Sequence, residues 1–135
     1  MLKEYLNISF NIKPKFFPVD PIKSCKLIIA SSILYPNEKN RSFQLAKKLS
    51  EAVWVNELNI DDETVIFEIV KEIVDIKKLK NLYFHKEVES ILQKNTLDAF
   101  DNDIFGVPTF VYEDKIFWGQ DRIFFLEKEI KKSDE

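Results

Sequence analysis

The stretch from Ile104 to Phe125, IFGVPTFVYEDKIFWGQDRIFF, constrains this chain more than any other. Gly106, Val107 and Pro108 precede a β-prone run, Thr109 to Tyr112. Glu113 and Asp114 interrupt that run, and Lys115 to Trp118 resume it. Two short runs of strand-formers around a tight polar break predict a hairpin. The break lacks the Gly or Asn that a primed two-residue turn favours, so its turn type stays open. Gly119 ends the second strand. Asp121 is placed as the N-cap of a closing helix whose Ile123, Leu126 and Ile130 share one face.

A chain of 135 residues is expected to form one domain, or one domain with an insertion. Its apolar fraction of 45%, with twelve Phe, is enough to fill a core. The charge balance, 20 basic against 23 acidic groups, contains no basic block, which argues against a nucleic-acid footprint. The apolar runs are too short to span a bilayer. No secretory leader pattern opens the sequence, so a cytoplasmic location is expected. The single cysteine, Cys25, excludes an internal disulfide and a CxxC redox centre within this chain.

Along the chain, Met1 to Leu6 reads as the tail of a helix, and Leu6 to Ile12 alternates apolar and polar residues as a half-buried strand does. Pro14 and Pro18 impose an extended passage. Asp20 and Pro21 start a helix to about Leu34, with Ile22, Cys25, Ile29 and Ser32 or Ile33 inward. A second helix begins near Asn40, with Phe43, Ala46, Leu49 and Val53 inward. After a connector, Asp61, Asp62 and Glu63 place negative charge at a helix start, and Val65, Ile69 and Ile73 continue that helix. A short helix covers Ile76 to Tyr83. Another runs from Lys86 to about Phe100, with Val88, Ile91, Leu92 and Ala99 buried, and Asn102 or Asp103 ends it.

GVPTF followed by FWGQDR and a Leu-Glu pair resembles the 2-hydroxychromene-2-carboxylate isomerase and kappa-class glutathione transferase family, within the DsbA-like thioredoxin superfamily. FFPVDPIKSCK resembles the segment that opens that family's first inserted helix, and AVWVNELNIDDETV its connector between inserted helices. The resemblance implies an α/β, thioredoxin-like fold of the DsbA/kappa type, incomplete here. The expected parts are an extended segment over 1–15, a helical insertion domain over 16–103, and the C-terminal part of a thioredoxin-like domain over 104–135.

The family's opening strand, catalytic turn, helix and second strand have no counterpart before Phe16. The turn that carries a Ser in the isomerases and transferases, or a Cys in the oxidoreductases, is therefore missing, and no catalytic residue is assigned. Thr109 to Tyr112 would be left as an apolar sheet edge, which proteins rarely leave bare. The alternating segment Leu6 to Ile12, a second copy, or a separate complementing chain could fill it, the last two preferred.

The resemblance implies glutathione as cofactor. Val107, before a cis Pro108, would pair its backbone with the cysteinyl part, and Gln120 and Asp121 would hold the γ-glutamyl end. The implied partners are glutathione, a small unsaturated or aromatic substrate, and a homodimer mate or complementing chain. Plainer readings stand beside these: a turn proline at Pro108 and a helix cap at Asp121. Asp20 reads as a cap only, since a second carboxylate would repel the tripeptide's own. Cys25 reads as an inert core thiol. His85 has no second ligand at metal-site spacing. Ser31 and Ser32 have no base in reach. Trp54 and Trp118 read as core or cleft wall. The expected function is a glutathione-dependent isomerase or transferase-like protein, inactive alone. The alternatives are a non-catalytic binding or assembly module and a DsbA-type thiol oxidoreductase relative, the latter disfavoured by the lone Cys25.

Overall fold

A computed structural model of the chain describes residues 7–133. It divides into two compact units, Met1–Gln93 and Lys94–Glu135. The helical tail expected at Met1 to Leu6 lies outside the described residues.

The first unit is helical: α1 (Ile22–Leu34), α2 (Lys39–Trp54), α3 (Glu63–Val70), α4 (Ile76–Tyr83) and the start of α5 (Lys86–Asp101). Their starts follow from local chemistry. Asp62 accepts from the Thr64 amide at 2.8 Å, and Asp75 accepts from the Lys77 and Lys78 amides at 3.1 and 3.2 Å. Each satisfies donors that have no partner inside the helix. Asp20 binds the Ile22 amide at 2.9 Å, with Pro21 as the residue preceding α1.

α1 packs against α2 and α4, and α2 against α3. Leu27, Ala30, Leu45, Leu49, Ile66, Val70, Leu79, Tyr83 and Val88 fill the space between them. Tyr83 meets Phe67 edge-on at 5.2 Å, and its hydroxyl donates to Glu63 Oε1 at 3.2 Å. Burial raises the Tyr83 pKa well above the usual phenol range, reinforced by the Glu63 carboxylate.

The inward faces agree in part with those expected, Leu49, Val53 and Val88 being buried, and differ elsewhere. α1 buries Ser24, Leu27, Ala30 and Ser31, while Ile22 is half exposed and Ser32 faces solvent. Small residues on the buried stripe let neighbouring helices approach closely, and the bulky isoleucines flank it. α2 buries Leu45, Leu49, Ala52 and Val53, and leaves Phe43 68% exposed. α3 ends at Val70 and buries Ile66, Phe67 and Val70, with Val65 and Ile69 at its margins. In α5 only Val88 is fully buried; Ile91, Leu92 and Ala99 are half-buried. Asp103, at φ 55, follows its end.

Residues 7–12 form no strand, contrary to the alternating pattern. Asn7 sits at φ 50, and the segment is held instead by Asn11, whose amide donates to Trp54 O at 2.6 Å and whose Nδ2 donates to Val55 O at 3.2 Å. Phe17 then stacks on Trp54 at 4.7 Å. Period-two alternation gives a segment one apolar side, and here Asn11 fastens that segment to the carbonyls at the end of α2.

In the second unit β1 (Thr109–Tyr112) and β2 (Lys115–Trp118) pair antiparallel, from Thr109↔Trp118 to Tyr112↔Lys115, as a two-stranded sheet. Glu113 and Asp114 have φ of 48 and 62, the doubly positive arrangement of a type I′ turn. The primed turn therefore forms without Gly or Asn, at a steric cost. Asp114→Gly removes that cost at one position and is expected to raise stability by about 1 kcal/mol, read from chemical denaturation. A 3₁₀ turn, Gln120–Arg122, leads into α6 (Ile123–Ser133), which packs against both strands.

Candidate functional site

Pro108 ends the approach to β1, and Gly119 follows β2. The Gly119 amide donates to Pro108 O at 2.9 Å, one rung beyond the Thr109↔Trp118 pair. The hairpin thus places Val107 and Pro108, which precede β1, and Gln120 and Asp121, which follow β2, at the same end of the sheet. The Val107–Pro108 bond is cis, as expected; a second cis bond joins Phe17 and Pro18. Val107 is 89% exposed. Among the described residues its N–H and C=O make no hydrogen bond. The bend is fixed from behind by the Thr109 hydroxyl, which donates to Gly106 O.

Two glycines shape the rim; the sequence reading gave Gly119 only the end of the second strand and Gly106 no role of its own. A Cβ on Gly106 would stand 2.6 Å from Trp118 Nε1, so the indole lies directly against this backbone. Phe105 stacks on Trp118 at 5.0 Å and extends the aromatic wall. Gly119, at φ 101, turns the chain from β2 into the 3₁₀ turn. The signal that could have found them is their rarity, two glycines in 135 residues, both flanking this hairpin.

Asp121 does not cap α6. It lies inside the 3₁₀ turn, Gly119 occupies the cap position, and no side chain caps that turn. The reason is the conformation of Gly119: its carbonyl takes the Arg122 amide at 3.1 Å, so the turn begins two residues before Asp121. The Asp121 carboxylate instead folds back over Gly119, with Oδ1 2.5 Å from where a Cβ there would stand. It is largely exposed, and its ion-pair neighbour is Arg122 at 3.6 Å. The Gln120 and Asp121 amides come before any intrahelical acceptor.

One ion pair ties α6 to the hairpin. Lys115 Nζ bonds Glu129 Oε2, and Lys132 reaches Glu129 Oε1 at 2.7 Å. The hydrogen bonds from Lys115 and then Lys132 pull the Glu129 carboxyl down to about 2, and Glu129 raises the Lys115 amine. A depressed carboxyl stabilises the fold above its unfolded value and loses that contribution as pH falls through its folded value. Loosening of α6 from the hairpin is therefore expected between the ordinary carboxyl range, about 4.3, and about 2. Amide shifts of α6 followed against pH check this, and Lys115→Met should weaken the dependence.

Cys25 is half-buried in α1, and burial raises its thiol pKa, the opposite of what a nucleophilic thiolate needs. Among the described residues no group of three or more His, Cys, Asp or Glu could hold a metal ion. Nor is any described helix long and apolar enough to cross a membrane.

A hairpin entered through a cis-proline and closed by a terminal helix is the architecture of a thioredoxin-type C-terminal unit. The model of a DSBA-like thioredoxin domain matches residues 2–131, and the chain belongs to that family. No curated protein matches it. Among solved structures it is similar to a 2-hydroxychromene-2-carboxylate isomerase, with a TM-score of 0.72 and 19% sequence identity. That match covers 96% of this chain and 61% of the isomerase chain. The likeness is one of fold, and the chain spans less than two thirds of that structure's length. The mostly helical body with a two-stranded sheet agrees with an incomplete thioredoxin-like domain.

Proposed function

We propose that this chain carries the glutathione-binding half of an isomerase- or transferase-like site and is inactive without a complementing polypeptide. The observation that carries the reading is the exposed, unbonded backbone of Val107, set by the hairpin beside the Gln120–Asp121 turn. An extended tripeptide can pair with Val107 N–H and C=O as an added strand does. Its carboxylate suits the free amides that open the turn, and its ammonium suits the Asp121 carboxylate. The residues present therefore fit this ligand. When bound, glutathione would supply a thiol that adds to an unsaturated substrate and leaves after bond rotation. The chain's own part is to hold the two ends of the tripeptide, with Trp118 and Phe105 as an apolar wall. Nothing at this site offers a hydroxyl nucleophile or thiol partner beyond Thr109, whose hydroxyl is committed to Gly106 O. The purified chain is expected to bind glutathione yet show no glutathione-dependent isomerisation of 2-hydroxychromene-2-carboxylate. Sustained turnover by the chain alone would overturn this reading.

A non-catalytic binding or assembly module is the second reading, favoured by the apolar exposure of Val111, Trp118, Phe124 and Phe125. Completion by a second copy or by a different chain is compatible with either. A thiol oxidoreductase role is opposed by the lone, half-buried Cys25. A cytoplasmic location belongs to the same proposal.

A further inference from the structure

We propose that the cleft between α3 and α4 binds a small aromatic acid. The cleft is built entirely from residues of the first unit, so the inference stands apart from the function proposed above.

The cleft follows from the packing. α3 rests on α2 and α4 on α1, which leaves an open gap between α3 and α4. Its volume is about 440 Å³, within the range of small-molecule sites. Phe67, Ile76 and Phe84 give it an apolar lining. The buried Tyr83 fixes two of these: its ring stands 5.2 Å from Phe67 at 75° and 4.8 Å from Phe84 at 90°. Phe84 is nonetheless 65% exposed. It offers a flat apolar surface that is already held in place, so a second ring can stack on it at little cost in freedom.

Four charged side chains line the same cleft, and three have partners. Lys71 Nζ bonds Glu68 Oε1, and Glu63 Oε1 accepts the Tyr83 hydroxyl at 3.2 Å. Lys80 is the exception. Its amine lies over the Phe67 ring, 4.8 Å from the centroid, and pairs with no carboxylate among the described residues. The ring contact keeps the ammonium above the apolar lining instead of out in solvent.

These two features select the ligand. A neutral ring would leave the Lys80 amine without a counter-ion. A simple inorganic anion would leave Phe84 in water. A cation would be repelled by Lys80. An anionic group on a flat apolar body meets both needs, the anion at Lys80 and the ring against Phe84.

The test titrates the isotope-labelled full chain with 2-naphthoate and with its uncharged counterpart, 2-naphthamide. Naphthoate should move the Phe67, Lys80 and Phe84 amides and bind about tenfold more tightly than the amide. Lys80→Met keeps the aliphatic stem, removes the charge and should erase that preference. Phe84→Ala should weaken naphthoate about fivefold. Both side chains are exposed, so urea midpoints should stay at the wild-type value. Lys77→Met, an exposed lysine of α4 outside the cleft, should leave the affinity unchanged. Saturating glutathione should not displace naphthoate. The proposal is overturned by absence of shifts at Phe67, Lys80 and Phe84 in millimolar naphthoate. Equal naphthoate affinity in Lys80→Met and wild type would overturn it too, as would shifts centred on Val107, Gln120 and Asp121 or competition by glutathione. Failure of glutathione to bind in a separate titration would retire the function proposed above and leave this site standing.

Discussion

Asp121→Asn is expected to weaken glutathione binding by about tenfold to a hundredfold, the range of losing a charge-assisted contact to an ammonium. The fold should be unaffected. Asp121 is largely exposed, caps no helix, and has Arg122 as its ion-pair neighbour. Gly119→Ala should act on the same binding by another route. Its φ of 101 disfavours any side chain, and the new methyl would meet Asp121 Oδ1 at 2.5 Å. That variant is expected to lose about 1–3 kcal/mol of stability and to displace the Asp121 carboxylate. Calorimetric titration with glutathione and urea unfolding, run on both variants, separate the two effects. A binding loss in Asp121→Asn with unchanged unfolding assigns the carboxylate to the ligand. Equal binding by wild type and Asp121→Asn would remove it from the site.

Leu45→Ala should cost about 2–5 kcal/mol, because the side chain is fully buried between helices and its removal leaves a cavity. Phe43→Ala, two residues earlier on the same helix, should stay within about 0.5 kcal/mol, since that ring is 68% exposed. Urea denaturation of the pair checks which face of α2 packs inward. A larger loss at Phe43 than at Leu45 would restore the face read from the sequence.

Those two residues show where sequence reading reaches its limit. Element identity rests on short-range chemistry, which is why β1, β2 and α4 begin and end where strand-formers, turn residues and Asp75 place them. The buried face of a helix is set by its neighbours. α1 turns Ser24, Ala30 and Ser31 inward because its neighbours come close, although its isoleucines are the more apolar residues. The Ser24 and Ser31 hydroxyls are buried without a hydrogen-bond partner, a cost that hydrophobicity alone would not select. Residues 7–12 alternate as a strand does, yet they form no strand among the described residues, and Asn11 ties the segment to the end of α2.

The placing of the candidate residues was more legible. A two-residue turn between four-residue strands returns the chain beside its starting point, so Pro108 and Gly119 must face each other once the hairpin forms. What the sequence could not give was the role of Asp121, since a capping residue and a residue inside a 3₁₀ turn have the same local composition. The conformation of Gly119 decided between them.

The central claim is that a small thiol peptide binds where the β1 edge meets the turn before α6. Titrating the isotope-labelled chain with glutathione, and following every backbone amide, tests it most directly. The expected shifts are confined to Val107, Gly119, Gln120 and Asp121, with the α1–α4 core unmoved. Shifts centred on the helical unit, or none at millimolar glutathione, would contradict the account.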